Sequence, residues 1–226
     1  MNLLAVETST ELCSAALLQG DDVLDEETLS PNQHAERLAP MIRRLLDRAN
    51  LSPASLDAFA FGQGPGSFTG IRIACGIVQG MALGAGRSVV PVPSLCALAE
   101  EADAGHVVVA LDARMGEVYL AAYSRTGGDW QAVIEPCLAH EGELPVLPGQ
   151  EWVATGSGFD AFDWLRTAYG TRISRRIEHA LPRARAIARI AARRFARGES
   201  VDPGLAAPLY LRDKVALTTA ERQAAK

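Results

Sequence analysis

One pattern occurs twice in this chain and limits what it can fold into. A short apolar run ends in an acid and is followed at once by a second strand. The first copy is residues 3–6 with Glu7 at its end, then a hairpin of residues 13–18 and 23–29 across Gly20-Asp21-Asp22. The second is residues 106–111 with Asp112 at its end, the turn Ala113-Arg114-Met115-Gly116, and a strand at 117–123. Between the copies lies a helical pattern with Ala35, Leu38, Ile42, Leu45, Leu46 and Ala49 on one face, in which Pro40 predicts a kink or restart. A core strand at 56–61, a long helix near 71–85, a strand at 88–92 and a helix opened by Pro93-Ser94 complete the first half. Two strand-led halves of this kind predict a duplicated α/β unit: a first domain over 1–104 and a smaller second one over 105–226, with a C-terminal tail. The second half is more loosely patterned, with a Pro/Gly-rich loop at 142–149, a strand at 152–155 and helices near 159–169 and 183–197.

The whole-chain numbers exclude more than they assign. With 48% hydrophobic and 22% charged residues, the 226-residue chain has the balance of a globular protein with a real core. Its net charge of −5 gives no general attraction to nucleic acid. Residues 166–197 break that average with ten arginines against one acid, Glu178. Cys13, Cys75, Cys96 and Cys137 are scattered, which argues against a disulfide framework or a zinc site. The opening residues lack the basic start of a secretory leader, and the uncharged run at 73–86 is too short to span a bilayer. No membrane association is expected, and the cytoplasm is the expected compartment.

The most distinctive segment is Gly64-Pro65-Gly66-Ser67-Phe68-Thr69-Gly70, between a strand and a helix. It reads either as a tight turn that needs glycine or as an anion cradle at a helix N-terminus. A phosphate loop of the Walker type needs Lys after the last glycine, and Ile71 stands there. In the helix that follows, Gly76, Gly80 and Gly84 share one face, each costing about 0.8–1 kcal/mol of helix stability against Ala. The stripe serves either close packing within the chain or a helix–helix subunit interface. Glu7 and Asp112 are where a duplicated nucleotide-binding fold would place metal-associated acids, but Ala113, Arg114 and Met115 are bulky where close approach to phosphate wants glycine. His34, His106, His140 and His179 offer no H-x-x-x-H pair, and Gly156-Ser157-Gly158 lacks the spacing of a nucleophile elbow. Arg185, Arg189, Arg193 and Arg197 recur every fourth residue, as a solvated helix face or a phosphate-tracking stripe.

Taken together, Leu3–Thr10, His34-Ala35-Glu36-Arg37-Leu38, Gly64–Gly70 with Ile71-Arg72-Ile73, Asp112-Ala113-Arg114-Met115-Gly116-Glu117-Val118-Tyr119, and Pro208-Leu209-Tyr210-Leu211-Arg212 resemble the TsaB family. These strings run in order along essentially the whole chain. The resemblance implies the two-domain fold of actin, hexokinase and the sugar kinases. It also implies a non-catalytic subunit supporting the paralogue TsaD, with the ATPase TsaE, in forming threonylcarbamoyladenosine beside the tRNA anticodon. TsaD holds a metal through H-x-x-x-H at the start of a helix where this chain has Ser94 and Leu98, so no catalytic residue, metal or cofactor is expected. Docking is expected through the helices at 35–49 and 71–85, with Ala35, Leu38, Ile42, Leu45, Gly76, Gly80 and Gly84 at the interface and the same face pairing a homodimer of the isolated chain. tRNA contact is expected only through the complex. The rival readings are a metallopeptidase, which lacks a ligand set here, and a small ATPase of the same fold.

Overall fold

The computed structural model describes residues 1–212 and contains two five-stranded sheets. The first comprises β1 (Asn2–Glu7), β2 (Leu12–Gln19), β3 (Asp22–Leu29), β4 (Ala58–Gly62) and β5 (Ser88–Val92), in the order β3-β2-β1-β4-β5. The second comprises β6 (His106–Arg114), β7 (Glu117–Thr126), β8 (Asp129–His140), β9 (Trp152–Thr155) and β10 (Ile173–Ile177), in the order β10-β9-β6-β7-β8. Each sheet is an antiparallel meander of three strands extended by two parallel ones. From the hairpin edge, 3-2-1-4-5 and 8-7-6-9-10 are one topology drawn twice. The expected duplication is therefore the architecture.

Strand periodicity sorts the apolar residues into layers. Leu4 and Val6, with Phe59 and Phe61 of the neighbouring strand, face α1 (His34–Ala49) and α2 (Phe68–Ala85). Leu3 and Ala5, with Ala58 and Ala60, face the opposite way, toward α3 (Ser94–Glu101) and α6 (Ala184–Ala196). Val107, Val109 and Leu111 of the second sheet join that same core, so α3 and α6 lie in a layer shared by both sheets. The outer face of the second sheet is covered by α4 (Ser157–Ala161) and α5 (Asp163–Tyr169).

Several expectations need correcting. Pro40 sits inside an unbroken α1 and is exposed, so the missing N–H neither splits the helix nor strands a buried carbonyl. α2 begins at Phe68 rather than Ile71, because the Ser67 hydroxyl accepts the Gly70 N–H at 3.3 Å and caps it. The helix expected over 159–169 is two, separated by the extended backbone of Phe162. The sequence pattern marks neither β8 nor β10. They are edge strands with mostly exposed or half-buried residues, where alternation fades, and β8 contains Pro136. α6 covers the first sheet, although it follows the second in sequence.

The arginine stripe of α6, expected as a solvated face or a phosphate track, is largely ion-paired within the chain. Arg185 pairs with Glu101 at 2.6 Å, and Arg193 pairs with Glu100 at 2.9 Å and Asp129 at 3.0 Å. Arg197 pairs with Asp129 and with Glu199, while Arg189 stays exposed. Glu100 is only 5% exposed and also accepts the Trp130 indole N–H at 2.6 Å. The stripe knits α6 to α3 and β8, so most of its positive charge is answered inside the chain.

Candidate partner face and inter-lobe cleft

The glycine-rich loop closes against the end of β1. Thr8 Oγ1 donates to the Gly70 carbonyl at 2.8 Å, and the Ser67 N–H donates to the Ser9 carbonyl at 2.7 Å. A Cβ at Gly66 would overlap Ser9, and one at Gly70 would overlap the Thr8 carbonyl. Of the two readings of this loop, the turn that needs glycine is the one the contacts explain.

Glu7 is fully buried at the meeting point of β1, β4 and α3. Its Oε2 accepts the Ser94 hydroxyl at 2.6 Å and its Oε1 accepts the Ser9 N–H at 2.5 Å, while Ser94 Oγ accepts the Gly64 N–H at 3.2 Å. Gly62 leaves the space this carboxyl occupies. Leu98, one turn after Ser94, is buried in the apolar core. Burial pushes the Glu7 carboxyl above the usual range, and the hydrogen bonds from Ser94, Ser9 and Thr8 pull it back only in part. Because the folded value exceeds the unfolded one, the native state binds the proton more tightly, and stability falls as pH rises from about 4.5 through the folded value. Urea denaturation between pH 4.5 and 8 should show this slope, and Glu7→Gln should remove it. An unchanged slope in the variant would assign the pH dependence elsewhere.

Asp112 holds the matching place on β6 in a more open setting. Its Oδ1 accepts the Arg114 N–H at 2.7 Å, its Oδ2 pairs with the Arg114 guanidinium at 3.0 Å, and its own N–H donates to Ser157 Oγ at 3.1 Å. With Thr10, Ser67 and His34 it borders a cavity of about 830 Å³ between the two sheets. Residues 209–212 cross the mouth as a strap. The Leu209 N–H donates to the Gln63 carbonyl at 2.7 Å, Tyr210 Oη accepts from Arg72 Nε at 2.7 Å, and Arg212 donates to the Ala113 carbonyl at 3.0 Å and pairs with Glu117. The β6–β7 turn supplies Arg114 and Met115, both at positive φ, where a phosphate cradle would want glycine.

The expected interface residues divide in two. Leu38, Ile42 and Leu45 are buried in the chain's own core beneath α1, so they have no surface to offer a partner. Ala35, Gly76, Gly80 and Gly84 are exposed, and a Cβ built on any of the three glycines meets nothing within 4 Å. Among the described residues, the stripe therefore does not serve packing within the chain. Phe68 and Arg72 extend it toward the N-terminus of α2 at the same four-residue spacing, and Leu83 stands 74% exposed at its other end. Arg72 lies over the Phe68 ring at 3.5 Å and holds Tyr210. The expected helix start at Ile71 leaves Phe68 outside the helix, while Arg72 lies inside it. The recurrence at 68, 72, 76, 80 and 84 was the signal that could have found them.

A family model described as "TsaD: tRNA N6-adenosine threonylcarbamoyltransferase" matches residues 23–220. The Escherichia coli K12 protein named "tRNA threonylcarbamoyladenosine biosynthesis protein TsaB" is 40% identical over 96% of both chains. The chain belongs to the TsaB family. A Haemophilus influenzae protein of the same name is 34% identical over 95% of both chains. Among solved structures, a Pseudomonas aeruginosa chain described as an uncharacterized protein with similarity to peptidase YEAZ superposes with a TM-score of 0.86 at 38% identity, covering 93% of this chain and 99% of that one. A second, "YeaZ from Pseudomonas aeruginosa", gives 0.83 at the same identity and coverage. The duplicated two-sheet fold is thus that of the TsaB family. Within it, the position expected to begin a metal-binding helix in the catalytic paralogue holds Ser94, whose hydroxyl is spent on Glu7.

Proposed function

We propose that this chain is the non-catalytic subunit that docks on a TsaD-like paralogue in the cytoplasm and supports it in forming threonylcarbamoyladenosine in tRNA. The observation that carries the reading is the stripe of α2: an exposed helix face, costly in intrinsic stability, where a Cβ built on any of its glycines meets nothing within 4 Å among the described residues. Such a face suits a partner helix that must come close to the backbone. The proposed contact is made by Ala35, Phe68, Arg72, Gly76, Gly80 and Gly84, with Leu38, Ile42 and Leu45 acting from beneath by fixing how α1 sits. The isolated chain uses the same face to form a homodimer, and a TsaE-like ATPase joins the complex. tRNA is held by the assembled complex, since the arginines of α6 are largely ion-paired at home. The division at 104/105 is proposed for the two sheets, with α6 returning to the first; the tail beyond 212 lies outside the described residues. Depleting the chain in cells and measuring threonylcarbamoyladenosine in total tRNA by mass spectrometry tests the role. The modification should fall sharply and return on re-expression, with the TsaD-like paralogue recovered on affinity capture. Unchanged modification would refute it.

A further inference from the structure

A second, smaller cavity of about 410 Å³ is walled by α3, α6, β7, β8, the loop after β4 and Leu209 of the strap. Its wall is polar and apolar in about equal parts, with Trp130 and Pro136 among the apolar residues and Gln63, Tyr123, Glu135 and Arg194 supplying the polar groups. Tyr123 is 4% exposed, yet its hydroxyl has no hydrogen-bond partner among the described residues. A buried hydroxyl without a partner costs about 1–3 kcal/mol, so it points to something that completes it. Arg194 donates one N–H to the Pro91 carbonyl at 3.0 Å and lies 3.9 Å from Glu199, which leaves most of its fork of donors unspent. The Glu135 carboxylate is in no ion pair among the described residues and is close enough to act electrostatically on Tyr123, as Arg194 does. One cavity thus offers a planar cation, a carboxylate, a neutral hydroxyl donor and an indole wall.

We infer that this cavity binds a free α-amino acid. Its carboxylate would lie on Arg194 with the Tyr123 hydroxyl donating to it, its ammonium on Glu135, and its side chain against Trp130 and Pro136. A guanidinium and a carboxylate in one small site match the two charges of a zwitterion better than either charge alone. Since Arg194 stands on the helix that covers the first sheet and Tyr123 on a strand of the second, an occupant would also tie the two lobes together.

Calorimetric titration of the full chain with a panel of free L-amino acids tests this, each beside its deaminated carboxylate and its decarboxylated amine. At least one amino acid should bind saturably, and each of its two truncated analogues at least about tenfold more weakly, the loss expected for one charge-assisted hydrogen-bonded contact. Arg194→Gln should weaken binding by a similar factor. Tyr123→Phe should also weaken it while leaving the melting temperature unchanged or higher, because the oxygen it removes has no partner among the described residues. This variant carries the test if Arg194→Gln fails to fold. No binding by any amino acid at about 10 mM, the weak edge of small-ligand affinity, would overturn the inference. So would binding untouched by Tyr123→Phe, or a deaminated carboxylate that binds as well as its parent.

Discussion

Gly80→Leu is expected to leave the chain folded and to weaken binding of the TsaD-like paralogue by about thirtyfold or more, the scale of losing a hot spot worth roughly 2 kcal/mol. The reason is geometric. Gly80 faces open space on α2, where an added Cβ meets nothing within 4 Å among the described residues. Leu also favours the helix by roughly 0.8 kcal/mol over Gly, so a lost interaction could not be traced to a weakened helix. A partner helix seated on the stripe would meet a branched side chain where it now meets backbone. Thermal unfolding checks the first half of the expectation, and titration of the purified paralogue checks the second. The homodimer of the isolated chain should dissociate in the same variant, read by sedimentation. Binding that survives in a well-folded Gly80→Leu chain would place the interface away from α2.

Gly70→Ala should act in the opposite sense and destabilise the isolated chain by about 3 kcal/mol, the upper part of the range for forcing an extra carbon into a packed site. The Cβ would run into the Thr8 carbonyl, which is backbone and cannot swing aside, and would part the Thr8 hydroxyl from the Gly70 carbonyl. Gly84→Ala is the internal comparison. It lies in the same helix with nothing near its Cβ, and should stabilise by about 0.8 kcal/mol through helix propensity alone. Chemical denaturation of both variants gives the contrast directly. If Gly70→Ala matched wild type, the glycine-rich loop would not owe its composition to the approach of β1.

Why some features could be read from the sequence and others could not follows from where the information sits. The paired strand–acid–strand signals are local, so the duplication and most core strands were visible. β8 and β10 lie at sheet edges, where only one neighbour constrains the side chains and the alternation fades. The glycine stripe was legible as a spacing, but the spacing could not say whether it faced in or out. That depends on which side of α2 the sheet takes, and Ile71, Ala74, Cys75 and Val78 took it. For α1 the same reasoning misled: Leu38, Ile42 and Leu45 form its apolar face, and an apolar face is claimed first by the chain's own sheet. The arginines of α6 looked unopposed because their acids, Glu100, Glu101 and Asp129, come from distant positions in sequence. The orphan hydroxyl of Tyr123 had no sequence signature at all, since any tyrosine on a buried strand reads alike.

The position of α6 has a consequence for how the chain is made. Ala184, Ile187, Ala188 and Ala191 cover the face of the first sheet that carries Leu3, Ala5, Ala58 and Ala60. Every strand of that sheet leaves the ribosome well before the helix that roofs it, so its inner face waits, partly bare, while the whole second sheet is synthesised. The first lobe completes its core last, and contacts between such distant segments are slow to form. During that interval the nascent chain carries an apolar sheet surface of the kind that invites aggregation or a chaperone. A fragment ending near residue 104 would keep that surface permanently, and a stop codon anywhere before α6 would harm the lobe that had already been translated.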